Sequence, residues 1–207
     1  MDIPRCDAAL HEALKEPRPK KLVDAINAFL KQTKKNADDP TSLEFICLDC
    51  KSEGVEGKAR AFFASPPVRS SITMQLAMVK SDMPPSPQAI VLCANRLNTT
   101  EDVKEVVVHE LIHAYDYTVR NMDLTQPAVL ACSEVRSARE SECYEKAQAL
   151  CKNPQLTVLL QGCEWWVKKC VKQNAVLATS SLFPNDAEKH VDKVFDACFN
   201  DHSPFHK

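Results

Sequence analysis

Residues 106–117, VVVHELIHAYDY, hold the side chains of this sequence best spaced for chemistry. His109 and His113 stand four apart, so a helix puts both imidazoles on one face about a turn from each other. Two imidazoles in that geometry can grip one metal ion, and Glu110 between them can act as general base on a water that the metal polarises. The competing reading is a surface helix on which His, Glu and His fall at this spacing by chance.

A catalytic zinc takes three protein ligands and keeps a position for water, so the pair is one ligand short. Two residues compete for the place. Asp116 lies one turn past His113 on the same face, but its short side chain starts from the far end of that turn. Glu134, in ACSEVRSA, lies on the next helix, which by folding back antiparallel would present it opposite the histidines. Glu134 is preferred. Asp116 then becomes an acceptor that orients a histidine through its other ring nitrogen. Standing alone, Glu134 would read as a solvated helix residue paired with Arg136 or Arg139; the need for a third ligand gives it weight.

The elements that position these groups follow from periodicity. Thr99 or Thr100, ahead of Glu and Asp, caps a helix running to about Val119, with Val103, Val106, Val107, Leu111 and Ala114 as its apolar face. Before it, AIVLCAN (Ala89–Asn95) is an apolar run of strand length, and ITMQLAM (Ile72–Met78) alternates as a half-buried strand does. The edge of the AIVLCAN strand is expected to bind an extended substrate through main-chain hydrogen bonds. Helices are expected over 128–151, 155–176 and 185–200, the last capped by Asn185, with Trp165 and Trp166 packed between helices. Leu22, Ile26 and Leu30 mark a further amphipathic helix near residues 20–32, and residues 35–42 read as a linker. The order is α+β, with residues 1–40 as an N-terminal extension and 41–207 as the main domain.

Composition narrows the function classes. With 26 basic and 28 acidic side chains and no long basic patch, nucleic-acid binding has little electrostatic support. No apolar run reaches the roughly 18 residues that span a bilayer, which predicts a soluble or peripheral protein. Only three glycines are present, which argues against a nucleotide-binding loop. The ten cysteines point to disulfides, yet the N-terminus has neither an apolar signal core nor the acid-poor character of a presequence. A mitochondrial intermembrane space, where cysteine-rich proteins are trapped by oxidation, reconciles the two; the alternative is a cytosolic protein with buried thiols. Cys47 and Cys50 in CLDC lack a second C-x-x-C, so each is expected to have a disulfide partner and not a zinc ion.

Four blocks, HELIHAYD (His109–Asp116), ACSEVRSA (Ala131–Ala138), CVKQNAVLA (Cys170–Ala178) and VDKVFDACFNDHSPF (Val191–Phe205), occur in order. Over roughly residues 43–206 the sequence resembles the mitochondrial inner-membrane-associated metalloproteases that process and help assemble the ATP synthase membrane sector. The resemblance implies a zincin-like fold, with zinc held by His109, His113 and Glu134 and with Glu110 as the catalytic base. It implies disulfide-paired cysteines, import by oxidative machinery, and a peripheral place on the inner membrane facing the intermembrane space. Protein substrates are implied too: a membrane-sector subunit precursor to be matured, or intermembrane-space proteins to be turned over. The alternative function is an assembly chaperone that keeps the fold and cleaves little. A scaffold of the nucleus or cytosol, with reduced cysteines, is a third reading.

Two departures bear on these expectations. Val129 stands where the family has a histidine ahead of its ACSE block. If that histidine stabilises the tetrahedral intermediate, catalysis here is slower or uses another donor. ARESEC (Ala138–Cys143) replaces the family's SLSGEC, and the missing glycine predicts an unbroken helix there.

Overall fold

The computed structural model describes residues 1–34, 41–51, 58–65, 88–152 and 163–205. The expected strand Ile72–Met78 lies outside them. The described residues form an α+β protein with a small three-stranded sheet and seven α-helices. The chain divides into two compact units, Met1–Asn121 and Met122–Lys207.

The first unit begins with two helices, α1 (Ile3–Ala13) and α2 (Pro17–Thr33), each with proline in its first turn, where the missing N–H would have no helical partner anyway. Helix α2 matches the expected amphipathic helix near residues 20–32, whereas α1 has no counterpart among the expected elements. Both pack against α3 (Thr100–Thr118) within this unit, and Leu22 and Ile26 of α2 are fully buried. The N-terminal segment expected as an extension therefore supplies part of this unit's core. Removing each such side chain from water contributes on the order of 1.5–3 kcal/mol.

Strands β1 (Glu44–Leu48), β2 (Ala61–Ala64) and β3 (Ala89–Cys93) form a sheet in the order β1-β3-β2, with β1 parallel and β2 antiparallel to β3. Ile46 and Phe62 flank Val91 from either side. This corrects one expectation. β3 is the central strand, paired along both sides, so its edge is not open to a substrate. The cause is legible in its composition: five consecutive buried residues suit a strand covered on both faces. Two disulfides staple the layer, Cys6–Cys47 tying α1 to β1 and Cys50–Cys93 tying the segment just past β1 to the end of β3.

After β3 a 3-10 turn (Ala94–Arg96) leads into α3. The Thr99 hydroxyl accepts the Asp102 N–H at 3.0 Å, and the Asp102 carboxylate accepts the N–H groups of Thr99 at 3.0 Å and Asn98 at 2.9 Å. This reciprocal cap satisfies donors that a helix start leaves bare. Thr99→Ala should lower stability by about 1 kcal/mol, read as a shifted urea midpoint with unchanged slope. The cap also carries a pH signature. The Asp102 carboxyl is held below the usual aspartate range, first by the Asn98 N–H, then by the Thr99 N–H and hydroxyl and by Arg60. Because its folded value is depressed, its contribution is present above the unfolded value, about 3.9, and is lost as pH falls through the folded one.

The second unit is helical: α4 (Pro127–Glu140), α5 (Tyr144–Cys151), α6 (Cys163–Ser180) and α7 (Ala187–Asn200). Ala131, Val135 and Ala138 of α4 recur at helical spacing and pack on Val171 and Ala175 of α6 and Val191 and Phe199 of α7. Three disulfides tie this unit together: Cys132–Cys198 joins α4 to α7, Cys143–Cys170 joins the turn after α4 to α6, and Cys151–Cys163 joins α5 to α6. The unbroken helix expected over 128–151 is not found. The chain turns at 141–143, where the Ser141 hydroxyl donates to the Ser137 carbonyl at 2.6 Å and Cys143 is buried in its bridge to Cys170. Here a tertiary crosslink overrides local helix preference. The last helix has Asp186 at its N-cap position, one residue beyond the expected Asn185, with no side-chain cap hydrogen bond. Trp165, expected inside, is 59% exposed, with the Lys169 ammonium 5.2 Å from its ring centroid.

Candidate metal centre

Helix α3 is buried on nearly every side from Val106 to Asp116, which is unusual for a segment holding His109, Glu110, His113 and Asp116. Glu110 is 8% exposed and His113 is 7% exposed, while Asp116 is wholly buried. Burying such groups costs several kcal/mol unless they are paired or bind an ion. The expected apolar face (Val103, Val106, Val107, Leu111 and Ala114) is all buried and fixes the rotation of the helix. That rotation sets His109 and His113 side by side, with ring centroids 4.9 Å apart and planes at 73°. Edge-on imidazoles at this separation can aim one nitrogen each at a common point.

Glu134 lies in the middle of α4 and is 6% exposed. Among the described residues, His109, His113 and Glu134 form a group in which one ligand atom of each lies within 4.8 Å of the others. Two imidazole nitrogens and a carboxylate oxygen are a donor set that zinc accepts, and three such donors leave a fourth position for water or substrate. The residues present fit a metal ion.

Glu110 and Asp116 stand outside that group. Glu110 follows His109 directly, so it is turned about 100° around the axis from it. Asp116 pairs with the Arg120 guanidinium at 3.3 Å, one turn further along α3. Val129 is half-buried in the first turn of α4.

Two residues of consequence were read from sequence only as partners for Glu134. Arg136 and Arg139 reach the far end of their unit, to carbonyls of residues 198–203. The signal available beforehand was their spacing with Cys132, at i, i+4 and i+7.

The model of the Peptidase M76 family matches residues 4–206. The chain belongs to the peptidase M76 family. Its relatives include the mitochondrial inner membrane protease ATP23 homolog of Xenopus laevis, 39% identical over 120 residues covering 56% of this chain and 48% of that protein. The homolog from Homo sapiens is 37% identical over 124 residues, covering 58% and 48%. ATP23 of Candida albicans is 34% identical over 127 residues, covering 58% and 50%. This M76 chain thus spans about half the length of the curated relatives it matches. No solved structure matches it. Among the described residues, no helix is long and apolar enough to cross a membrane.

Proposed function

We propose that this M76 chain is a zinc-dependent endopeptidase with a zincin-like active site, and that His109, His113 and Glu134 hold the zinc. The observation that carries the reading is the grouping of those three side chains on buried helix segments. When bound, zinc lowers the pKa of a water to about 7 and polarises the carbonyl to be cleaved. The chain's own residues do the rest. Glu110 takes the proton from the attacking water and delivers it to the leaving amine, acting first as base and then as acid. Asp116, buried on the histidine helix, serves as an outer acceptor that steadies the ligand set.

The names of the relatives support a place at the mitochondrial inner membrane and protein substrates. Within that reading the chain faces the intermembrane space, attached peripherally and imported by oxidative trapping, with five disulfides as the product. Its substrates are then a precursor of an ATP synthase membrane-sector subunit and proteins of that space, and it assists assembly of the same complex.

The test is metal analysis of the purified chain. About one zinc per chain is expected, with peptide cleavage lost on chelation and restored by zinc. A chain that cleaves equally well after exhaustive chelation overturns the reading. The ligand set is ranked separately: Asp116→Asn should weaken zinc binding by ~10–100-fold, as an outer partner does, and Glu134→Ala by more. The reverse order would hand the third position to Asp116.

A further inference from the structure

The side of α4 opposite Glu134 is gripped at three points. At about 100° per residue, Cys132, Arg136 and Arg139 fall in one stripe of the helix, and Glu134 falls on the other side. All three reach the C-terminal end of α7 and the turn beyond it. Cys132 is bonded to Cys198. Arg139 donates through Nη1 to the carbonyls of Cys198 at 3.1 Å and of Phe199, and through Nη2 to that of Asp201 at 2.7 Å. Its charge is balanced by the Glu140 carboxylate at 2.7 Å. Arg136 donates to the carbonyls of Asp201 at 3.0 Å and Ser203 at 2.7 Å, and pairs with the Asp201 carboxylate at 2.8 Å.

The receiving carbonyls at the end of α7 are ones that a helix leaves without internal partners, at the negative end of its dipole. Arg139 donates to those carbonyls, and Arg136 holds the turn that follows them through the carbonyls of Asp201 and Ser203. The arginines are 0% and 6% exposed, and a planar fork held by several acceptors fixes direction as a lysine cannot. Such a grip fixes the rotation of α4 about its own axis. A turn of about 20° would swing a carboxylate at the helix periphery, roughly 5–6 Å from the axis, by about 2 Å. That is a whole metal–ligand bond length.

We infer that Arg136 and Arg139 are positioning residues for Glu134, holding its carboxylate at the rotation a metal ligand requires, and that the turn from Asp201 to Ser203 is part of the site's support. This rests on the proposed ligand role of Glu134.

The test is a double-mutant cycle on the full chain, read as zinc affinity by competition with a chromophoric chelator, with folding checked by circular dichroism. Arg136→Lys keeps the charge and loses the fork; it should stay folded and bind zinc ~10-fold more weakly. In a Glu134→Ala background the same change should add no further loss, because the ligand it positions is gone. An equal loss with and without Glu134 would make Arg136 a general structural residue and overturn the inference, as would parental affinity in Arg136→Lys. Parental affinity in Glu134→Ala alone would instead remove the ligand assignment beneath it. Should Arg136→Lys not fold, Arg139→Lys, which leaves the Arg136 contacts in place, runs the same cycle.

Discussion

Glu110→Gln should retain its zinc and its fold while peptide-bond cleavage falls by at least ~100-fold, the usual effect of losing a general base. The expectation follows from placement. Glu110 adjoins His109 on α3 yet stands outside the ligand group, so exchanging its carboxylate for an isosteric amide removes a proton acceptor and leaves the metal's donors untouched. His109→Ala and His113→Ala should behave oppositely, losing stoichiometric zinc and cleavage together, since each deletes one of the three ligands proposed above. Metal content and cleavage rate measured on all three variants separate the roles. A Glu110→Gln protein that cleaves normally removes Glu110 from the chemistry; one that loses zinc or unfolds makes it structural. If the chain also assists assembly independently of cleavage, the Glu110→Gln variant should still support ATP synthase assembly in cells lacking the native protein, provided subunit maturation is not itself essential.

Removing the Cys132–Cys198 bridge by a double serine substitution should cost about 4 kcal/mol, and removing Cys151–Cys163 about 3 kcal/mol. The ranking comes from the loops closed, 66 residues in the first case and 12 in the second. A loss of about 4 kcal/mol is a large share of the 5–15 kcal/mol by which domains are usually stable. Urea unfolding of the two variants gives the comparison, and a larger loss for the short loop would refute the chain-entropy ranking. Alkylation supplies the companion measurement. All ten cysteines are paired, so protein from its native compartment should label almost nowhere before reduction and at all ten afterwards. Extensive labelling without reductant would remove the support for an oxidising compartment.

The parts of this molecule that sequence made legible are those whose signal is local. Helix α3 announces itself through the Thr99–Asp102 cap and a stripe of valines and leucine, and its histidine pair needs only the helical repeat to be understood. Helix α1 was missed because the residues it buries are Cys6, Ala9, Leu10 and Ala13, three of them too small to mark a period. What anchors it is a crosslink to Cys47, forty-one residues away in the chain. The central place of β3 was legible in its unbroken apolar run and was misread as an edge. The turn at 141–143 was not legible, since it is enforced by Cys143 reaching α6. Nor were the targets of Arg136 and Arg139. Apart from the Asp201 carboxylate, they are main-chain carbonyls, which every residue type carries and no side chain advertises.

The five crosslinks sort cleanly by position. Two close among residues 6–93 and three among residues 132–198, and none joins a cysteine of the first set to one of the second. A chain arriving N-terminus first at an oxidant can therefore finish its first pair of bridges as soon as Cys93 has emerged, with no sulfur held waiting for a distant mate. The six later cysteines then search only among themselves. Splitting one large pairing problem into two small ones removes most of the wrong connectivities before any can form. It also leaves the peptide backbone from His113 to Glu134 as the sole covalent tether between the histidines and that carboxylate.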